Sequence, residues 1–499
     1  MSLEILCVLC HENRMNPTPA YTVLKFSGDA TETPESMRSV IDFIAIKAKS
    51  TPVAVVVAAL GHSTDILLEA IDFAENADYR SADKNVDLMA DTVCSVGTRT
   101  LEMLQDGTRQ KMAINRMSAM VGEILDPLRR LLYGVSLLRQ ASAQTKDLVI
   151  SFAERLNARV VAELLAASDC DALYVDSRDW TVTDATFSKA LVDWDATQER
   201  VRTLQPQWEG RITVHPGLLG RTRDNRTTTL GRHGGDYTAT LLARALQASE
   251  VVISTNVGGV MTADPALVSD AYPIARLTYM EALELANFST HIFHPSTMIP
   301  LIASGIPLRI KHTSAAIGTG TVIDATGSDE TRQPTAIATL ENTAMISVEW
   351  RALTRPANVA ARVLDALDVS GVTVWMANQA AHGQSVTAVV PEAQVDKAQA
   401  AIEEALQVEA SRGEVAPVAV HRGFTLLTLV AGAMGRTPNV AGRLFATLGG
   451  MGVMIRAIAQ SATARSISCV IDSSETRRAT QEVHRSFNMS QSDSGKPLF

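Results

Sequence analysis

Paired cysteines, surplus positive charge and long apolar runs are all missing from this chain. Its five cysteines are an odd number scattered over 499 residues, which argues against the disulfide framework that small secreted domains rely on. Cys7 and Cys10 form a lone CxxC without a second pair, and no HExxH accompanies them, so no metal ligand set is assigned. The histidines His62, His233, His291 and His312 read as surface or hydrogen-bonded groups. A net charge of −9 gives no electrostatic reason to expect nucleic acid as a partner. No segment approaches the roughly eighteen unbroken apolar residues of a membrane span. The start of the chain has too short an apolar run, and too little leading positive charge, for a secretory signal. A protein with no membrane partner and a cytoplasmic location is the resulting expectation.

What is present is an ordinary globular composition, 46% hydrophobic and 20% charged, in a chain longer than one core usually supports, so two or three domains are expected. The most informative stretch spans 227–265, where TTTLGRHGGDYTATLLARAL runs into VVIST and then NVGGVMTADP. Glycine tolerates positive φ, so a turn such as Gly231 to Gly235 exposes backbone N–H groups, and a helix starting at Asp236 adds its positive end. An anionic ligand is expected there, although a glycine turn by itself can be an ordinary tight connection.

Strands are expected over 21–26, 53–60, 171–175, 212–215, 251–255, 308–311 and 321–323, with helices over 34–49 and after 65. The apolar run 53–60 suits a strand covered on both faces. Asp126 and Pro127 read as an N-cap and first helical residue, with Leu128, Leu131, Leu132, Val135 and Leu138 on one face. Alternating strands and helices imply an α/β domain with a mostly parallel sheet sandwiched by helices. A polar stretch at 324–335 then marks a boundary. Beyond it a strand, helix, strand, strand, helix unit occurs twice. The first copy has strands at 345–350, 372–376 and 385–390 and helices from Val359 and Gln394; the second has strands at 424–430, 453–457 and 466–471 and helices from Val440 and Thr476.

The threonine-rich lead into Leu-Gly-Arg-His-Gly-Gly-Asp-Tyr, and the Asn-Val-Gly-Gly-Val-Met-Thr-Ala-Asp-Pro that follows the strand, resemble the aspartate kinase signature. The resemblance extends over residues 21 to 490. The repeated C-terminal unit resembles a tandem pair of ACT domains, small α+β regulatory modules, and TPNVAGRLF at 437–445 with RAIAQ at 456–460 is close to aspartate kinase ACT sequences. The implied layout is a variable extension over 1–20, an amino acid kinase domain over 21–325, and ACT domains over 326–415 and 416–499.

This resemblance implies an enzyme that uses ATP and Mg2+ to phosphorylate the side-chain carboxylate of L-aspartate. Lys25 then contacts the transferring phosphates, Glu154 meets the substrate amino group, and Arg232 pairs with its α-carboxylate. Gly234 and Gly235 line the same turn, and Asp236 lies at the substrate and metal end. Gly28, Thr255, Asn256, Asp264 and Lys311 fall on the nucleotide side. Gln379, Met454 and Gln460 fall at the effector positions of the ACT domains, whose pairing implies a homodimer or larger homo-oligomer.

The departures from the pattern are specific. Ser27-Gly28-Asp29-Ala30 replaces Gly-Gly-Thr-Ser and sets a carboxylate beside the expected phosphates. Two unit charges at about 4 Å repel by about 1 kcal/mol in water and about 4 at an effective dielectric of 20. His233 and Gly235 replace a glycine and a serine. Asn256 and Gly258 replace two aspartates, Met261 a tyrosine, Ala266 an arginine, and Ala153 the glycine before Glu154. Gly383, Ala464 and Met454 depart from the family around the effector. Two other readings therefore stand beside the first: an impaired homologue acting as amino-acid sensor or scaffold, and a kinase for another amino-acid carboxylate.

Overall fold

The computed structural model describes residues 20–104, 108–231, 233–255, 257–288, 293–313, 320–327, 334–350, 356–380, 384–432 and 438–489. The chain divides into two compact units, one holding residues up to Gly259 together with Phe293–Ala325, the other holding Val260–Ile292 and Thr326 onward.

The sheet of the first unit runs in the order Ala172–Tyr174, Ile212–Pro216, Val53–Val57, Thr22–Phe26, Glu250–Thr255, Leu308–His312, Thr321–Asp324. All neighbours are parallel except the last pair, which is antiparallel. The central strands are buried end to end, TVLKF and VAVVV showing no exposed residue, as expected where helices cover both faces. The helix Pro34–Ala48 starts with a capping box between Thr33 and Ser36 and a proline in its first turn. The helix Ala143–Ala167 is capped by Ser142, whose side chain accepts from the Thr145 N–H.

Pro127 does not begin a helix. It lies inside the helix Thr108–Leu138. The apolar stripe of Ala113, Met117, Val121, Ile124, Leu125, Leu128, Leu132 and Val135 is buried without interruption across it. Pro127 itself faces solvent, where the carbonyl it leaves unbonded can turn to water. Leu138, expected on the buried face, is 78% exposed near the helix end.

In the second unit one sheet runs Met376–Gln379, Ser385–Pro391, Ala336–Glu349, Ala419–Val430, Ser466–Asp472, Ala457–Gln460. Its two long central strands serve both copies of the repeat: Ala336 to Leu340 pair with Val430 to Leu426, whereas Thr343 to Glu349 pair with Pro391 to Ser385. The two copies are therefore joined along these strands within one sheet. The segment Val260–Ile292, which the sequence placed in the kinase domain, also groups with this unit. Its Ala263, Leu267 and Val268 pack into one core with Leu444, Leu448, Val483 and Phe487.

The second strand of each copy starts four residues later than the apolar runs 372–376 and 453–457 indicated, at Met376 and Ala457. The reason is the same in both copies. Val372 N–H bonds to Leu367 O, and Val453 N–H to Leu448 O, each following a glycine at positive φ, Gly371 and Gly452. These valines close a helix C-terminus with an apolar contact and do not extend a strand. Among the described residues no helix is long and apolar enough to cross a membrane.

Candidate functional site

The first strand ends Leu24, Lys25, Phe26, with Lys25 opposite Val56 on one neighbour and Ile253 on the other. Lys25 therefore sits at the centre of the sheet near the C-terminal ends of its parallel strands, where open α/β sheets place their ligands. Its Nζ lies 2.6 Å from Asp236 Oδ1, and both side chains are largely buried. Burial alone would raise the Asp236 carboxyl, but Lys25 and then His233 outweigh it and hold it below the usual carboxylate range. His233 Nδ1 is 3.7 Å from Asp236 Oδ2.

Asp236 is placed by the glycine turn. The helix runs Gly234–Leu246, two residues earlier than the Asp236 start read from the sequence, and His233 precedes it at φ 57. This left-handed conformation suits glycine and strains a histidine mildly. Thr238 locks the first turn by donating to Gly234 O at 2.8 Å and accepting from the Leu218 N–H at 3.1 Å.

Glu154 projects from the helix Ala143–Ala167 and is 5% exposed. Burial pushes its carboxyl up to about 8, against a hydrogen bond from the Ala59 N–H and the charge of Lys25. Its Oε2 is buried with no hydrogen-bond partner in the structure, a costly state for a polar atom unless a ligand donor completes it. Three residues further along, Asn157 donates to Thr31 Oγ1 at 3.1 Å and to Ala58 O at 2.7 Å. It thereby ties this helix to the turn after the first strand.

Glycine is required here by close approach. A Cβ on Gly28 would stand 2.5 Å from Ala59 O; one on Gly217 would stand 2.9 Å from the Gly235 Cα and 3.6 Å from Glu154 Oε2. Gly234 is equally confined, 2.6 Å from Leu218 Cδ1. Gly235 is different: its nearest neighbours would be Lys25 Cε at 3.6 Å and the Gly217 Cα at 4.0 Å, so a side chain fits. Lys25, Glu154, Asp236, Gly217 and Gly235 thus form one corner. The sequence reading missed Gly217, Thr31 and Asn157; the only signal for Asn157 was its spacing of three from Glu154 on a helix.

On the expected nucleotide side, Asp29 opens a short 3-10 turn and is exposed, while Ala30 and Thr31 are buried beneath it. Thr31 donates to Gly28 O at 3.1 Å. Thr255 ends its strand, and its carbonyl accepts from the Thr313 N–H at 2.9 Å. Lys311 is only 1% exposed. Its Nζ stands 4.3 Å from the Phe43 ring centroid, a cation–π distance, and burial, then Arg309, lowers its pKa. Asp264, in the second unit, accepts the Ala266 N–H at 2.8 Å and serves as a local turn cap. Gln379, Met454 and Gln460 are exposed, and Asn378 donates to Ile458 O at 2.8 Å between the two edge strands that carry the glutamines. Arg232, Asn256, His291 and Gly383 lie outside the described residues.

A sheet of this topology, covered by helices and carrying a lysine at its centre and a glycine-turn helix beside it, defines an open α/β fold with a ligand-sized corner at the C-terminal ends of its strands. A sequence model of the amino acid kinase family matches residues 20–312, and the chain belongs to that family. An ACT domain model matches residues 427–487. Among similar proteins, the bifunctional aspartokinase/homoserine dehydrogenase 1 of Arabidopsis thaliana is 27% identical over 94% of this chain, which spans 51% of that protein. The chain thus covers about half the length of such bifunctional relatives. Aspartokinase 1 of the same plant is 27% identical over 93% of the chain and 80% of its own length. Among solved structures, Escherichia coli aspartokinase III matches with TM-score 0.77 at 24% identity, covering 94% of this chain and 100% of that one. Clostridium acetobutylicum aspartate kinase matches with TM-score 0.76 at 21% identity over the same shares. Within its family the chain is an aspartate kinase relative with ACT-like regulatory modules.

Proposed function

We propose that this protein transfers the γ-phosphoryl group of ATP to the side-chain carboxylate of L-aspartate. The observation that carries the reading is the buried Lys25–Asp236 ion pair beside Glu154, whose Oε2 awaits a donor. An acceptor carboxylate is already ionised at neutral pH, so the reaction needs no general base. It needs two anions held in line with their repulsion neutralised. Lys25 supplies the positive charge, and Asp236 holds its ammonium in place. Glu154 receives the substrate's amino group, a role for which a buried acceptor without a partner is suited. Arg232 is assigned the α-carboxylate, for which a planar guanidinium fork is apt.

The E. coli aspartokinase III neighbour was solved with aspartate and ADP, which supports both ligand classes for this chain. Among the described residues no three His, Cys, Asp or Glu side chains form a metal-holding group. A Mg2+ held mainly by nucleotide phosphates and one or two carboxylates fits that arrangement, with Asp236 the nearest carboxylate to the substrate turn. Gly28, Thr255, Asn256, Asp264 and Lys311 are assigned to nucleotide binding.

The room for a side chain at Gly235, where a Cβ would meet Lys25 Cε only at 3.6 Å, favours a second reading, in which a different amino-acid carboxylate is the acceptor. The ACT modules are assigned a homodimeric or larger assembly, with Gln379, Met454 and Gln460 near an effector. Purified protein with Mg-ATP, L-aspartate and hydroxylamine is expected to yield aspartyl hydroxamate. No product at millimolar substrate would sink the first reading, and a panel of other amino acids in the same assay tests the second. Without turnover on any acceptor, the chain is a sensor or scaffold.

A further inference from the structure

One buried charge plays no part in the chemistry above. Asp147 lies in the first turns of the helix Ala143–Ala167, seven residues before Glu154 and so two helical turns away on the same face. It is 1% exposed. Its Oδ2 accepts the backbone N–H groups of Ser188 and Thr229, each at 2.9 Å. Its Oδ1 accepts the Thr229 hydroxyl at 2.9 Å and the Ser188 hydroxyl at 3.4 Å. These four donors are neutral, and they come from two segments that both border the glycine turn.

Thr229 ends the strand Thr227–Thr229, and Leu230 and Gly231 follow it directly into the turn. Ser188 is held at φ 69. Its carbonyl would lie 3.3 Å from a Cβ on Gly231, and the Lys189 Cβ 3.5 Å. The Ala190 N–H bonds to Thr229 O at 2.9 Å, so the two segments are joined backbone to backbone as well. One carboxylate therefore fixes the entry of the turn that presents His233 to Asp236, and fixes it to the same helix that carries Glu154.

We propose that Asp147 is a positioning residue for the amino-acid substrate: it sets the glycine turn at the correct distance from Glu154 and does not itself touch a ligand. Charge-assisted bonds to backbone N–H groups are shorter and stronger than neutral ones, and substrate turns tolerate little displacement. The inference rests on the aspartate reading for its kinetic consequence but not for its structural one.

The test compares Asp147→Ala with Asp147→Asn, which keeps an acceptor for both backbone N–H groups. For Asp147→Ala the KM for L-aspartate is expected to rise about tenfold or more, with the KM for Mg-ATP within about twofold; Asp147→Asn restores most of that loss. Hydrogen exchange at Ser188, Thr229 and His233 to Asp236 is expected to quicken in the alanine variant, with the far half of the Ala143–Ala167 helix unchanged. Equal rises in both KM values, or unaltered exchange in the turn, would overturn the proposal. If Asp147→Ala fails to fold, Thr229→Val removes one donor alone and is expected to raise the aspartate KM about two- to threefold, again without a change for ATP. If the wild type makes no aspartyl hydroxamate while the turn exchanges faster in the variants, the choice of substrate is wrong and the positioning role stands.

Discussion

The corner at Lys25, Glu154 and Asp236 gathers residues from three distant elements, whereas the segment that follows Thr255 is continuous in sequence, and the two are built differently. In the corner, charges face one another inside a close-packed frame, and Gly28, Gly217 and Gly234 leave no room for a Cβ. The segment from Val260 onward belongs to the other unit, where backbone groups are held by a distant helix. Arg477 donates to Ala266 O at 2.8 Å, Gln481 to Leu267 O at 2.9 Å, and Thr262 shares a 3.0 Å bond with His484. The Lys25–Glu154–Asp236 corner is thus specified by side-chain type, whereas the 262–268 segment is specified by what grips its main chain. Side chains such as Met261 and Ala266 can depart from the family pattern there without unseating the fold.

The sharpest way to break this contrast is Lys25→Met. Removing the lysine leaves a buried Asp236 charge unpaired, with an expected stability loss of about 3–5 kcal/mol seen in thermal or urea unfolding. Phosphoryl transfer should fall by about 100- to 1,000-fold in the hydroxamate assay. A milder result would mean the corner is not organised around that pair. Next comes Gly28→Ala, where overlap with the Ala59 carbonyl is expected to cost about 1–3 kcal/mol in urea unfolding; an unchanged midpoint would show the turn to be as forgiving as the 262–268 segment.

The pH dependence of aspartate binding probes Glu154. A carboxyl raised to about 8 from an ordinary 4.5 is neutral at pH 7. It must lose its proton to pair with a substrate ammonium, so affinity should rise as pH increases. The expected gain is about tenfold between pH 7 and 9, read by calorimetry below the titration of the substrate amine. Glu154→Gln should abolish the slope. The same raised carboxyl makes its contribution to stability largest below pH 4.5 and lets it decline toward pH 8.

The smallest effect is expected from Gly235→Ser. The added side chain meets only Lys25 Cε at ordinary contact distance, so stability should stay within about 0.5 kcal/mol. Acceptor range should narrow toward aspartate if the room at Gly235 serves a different acceptor. A large loss of stability would show the corner to be tighter than its geometry.

The sheet was legible because buried parallel strands leave unmistakable apolar runs, VAVVV above all. The repeat was legible too, yet its second strands were placed too early, because Val372 and Val453 are equally apolar whether they extend a strand or close a helix. Pro127 misled for a related reason: local preference favours a helix start, but an apolar stripe on both sides of an outward-facing proline keeps the helix intact. The corner was half visible. Lys25, Glu154 and Asp236 stood in motifs, whereas Gly217, Asn157 and Asp147 act through partners far away in sequence.

The sequence by itself determined the main parallel strands of the first sheet, the doubled regulatory unit and the residue types of the Lys25–Glu154–Asp236 corner, since all three depend on local pattern and spacing. Only the tertiary structure decided that Ala263, Leu267 and Val268 pack with Leu444, Leu448 and Phe487, that Gly235 has room while Gly217 has none, and that Asp236 is already paired with Lys25. Those outcomes depend on which groups the packed chain brings within a few ångströms, and hydrogen bonding, desolvation and excluded volume act only at that range.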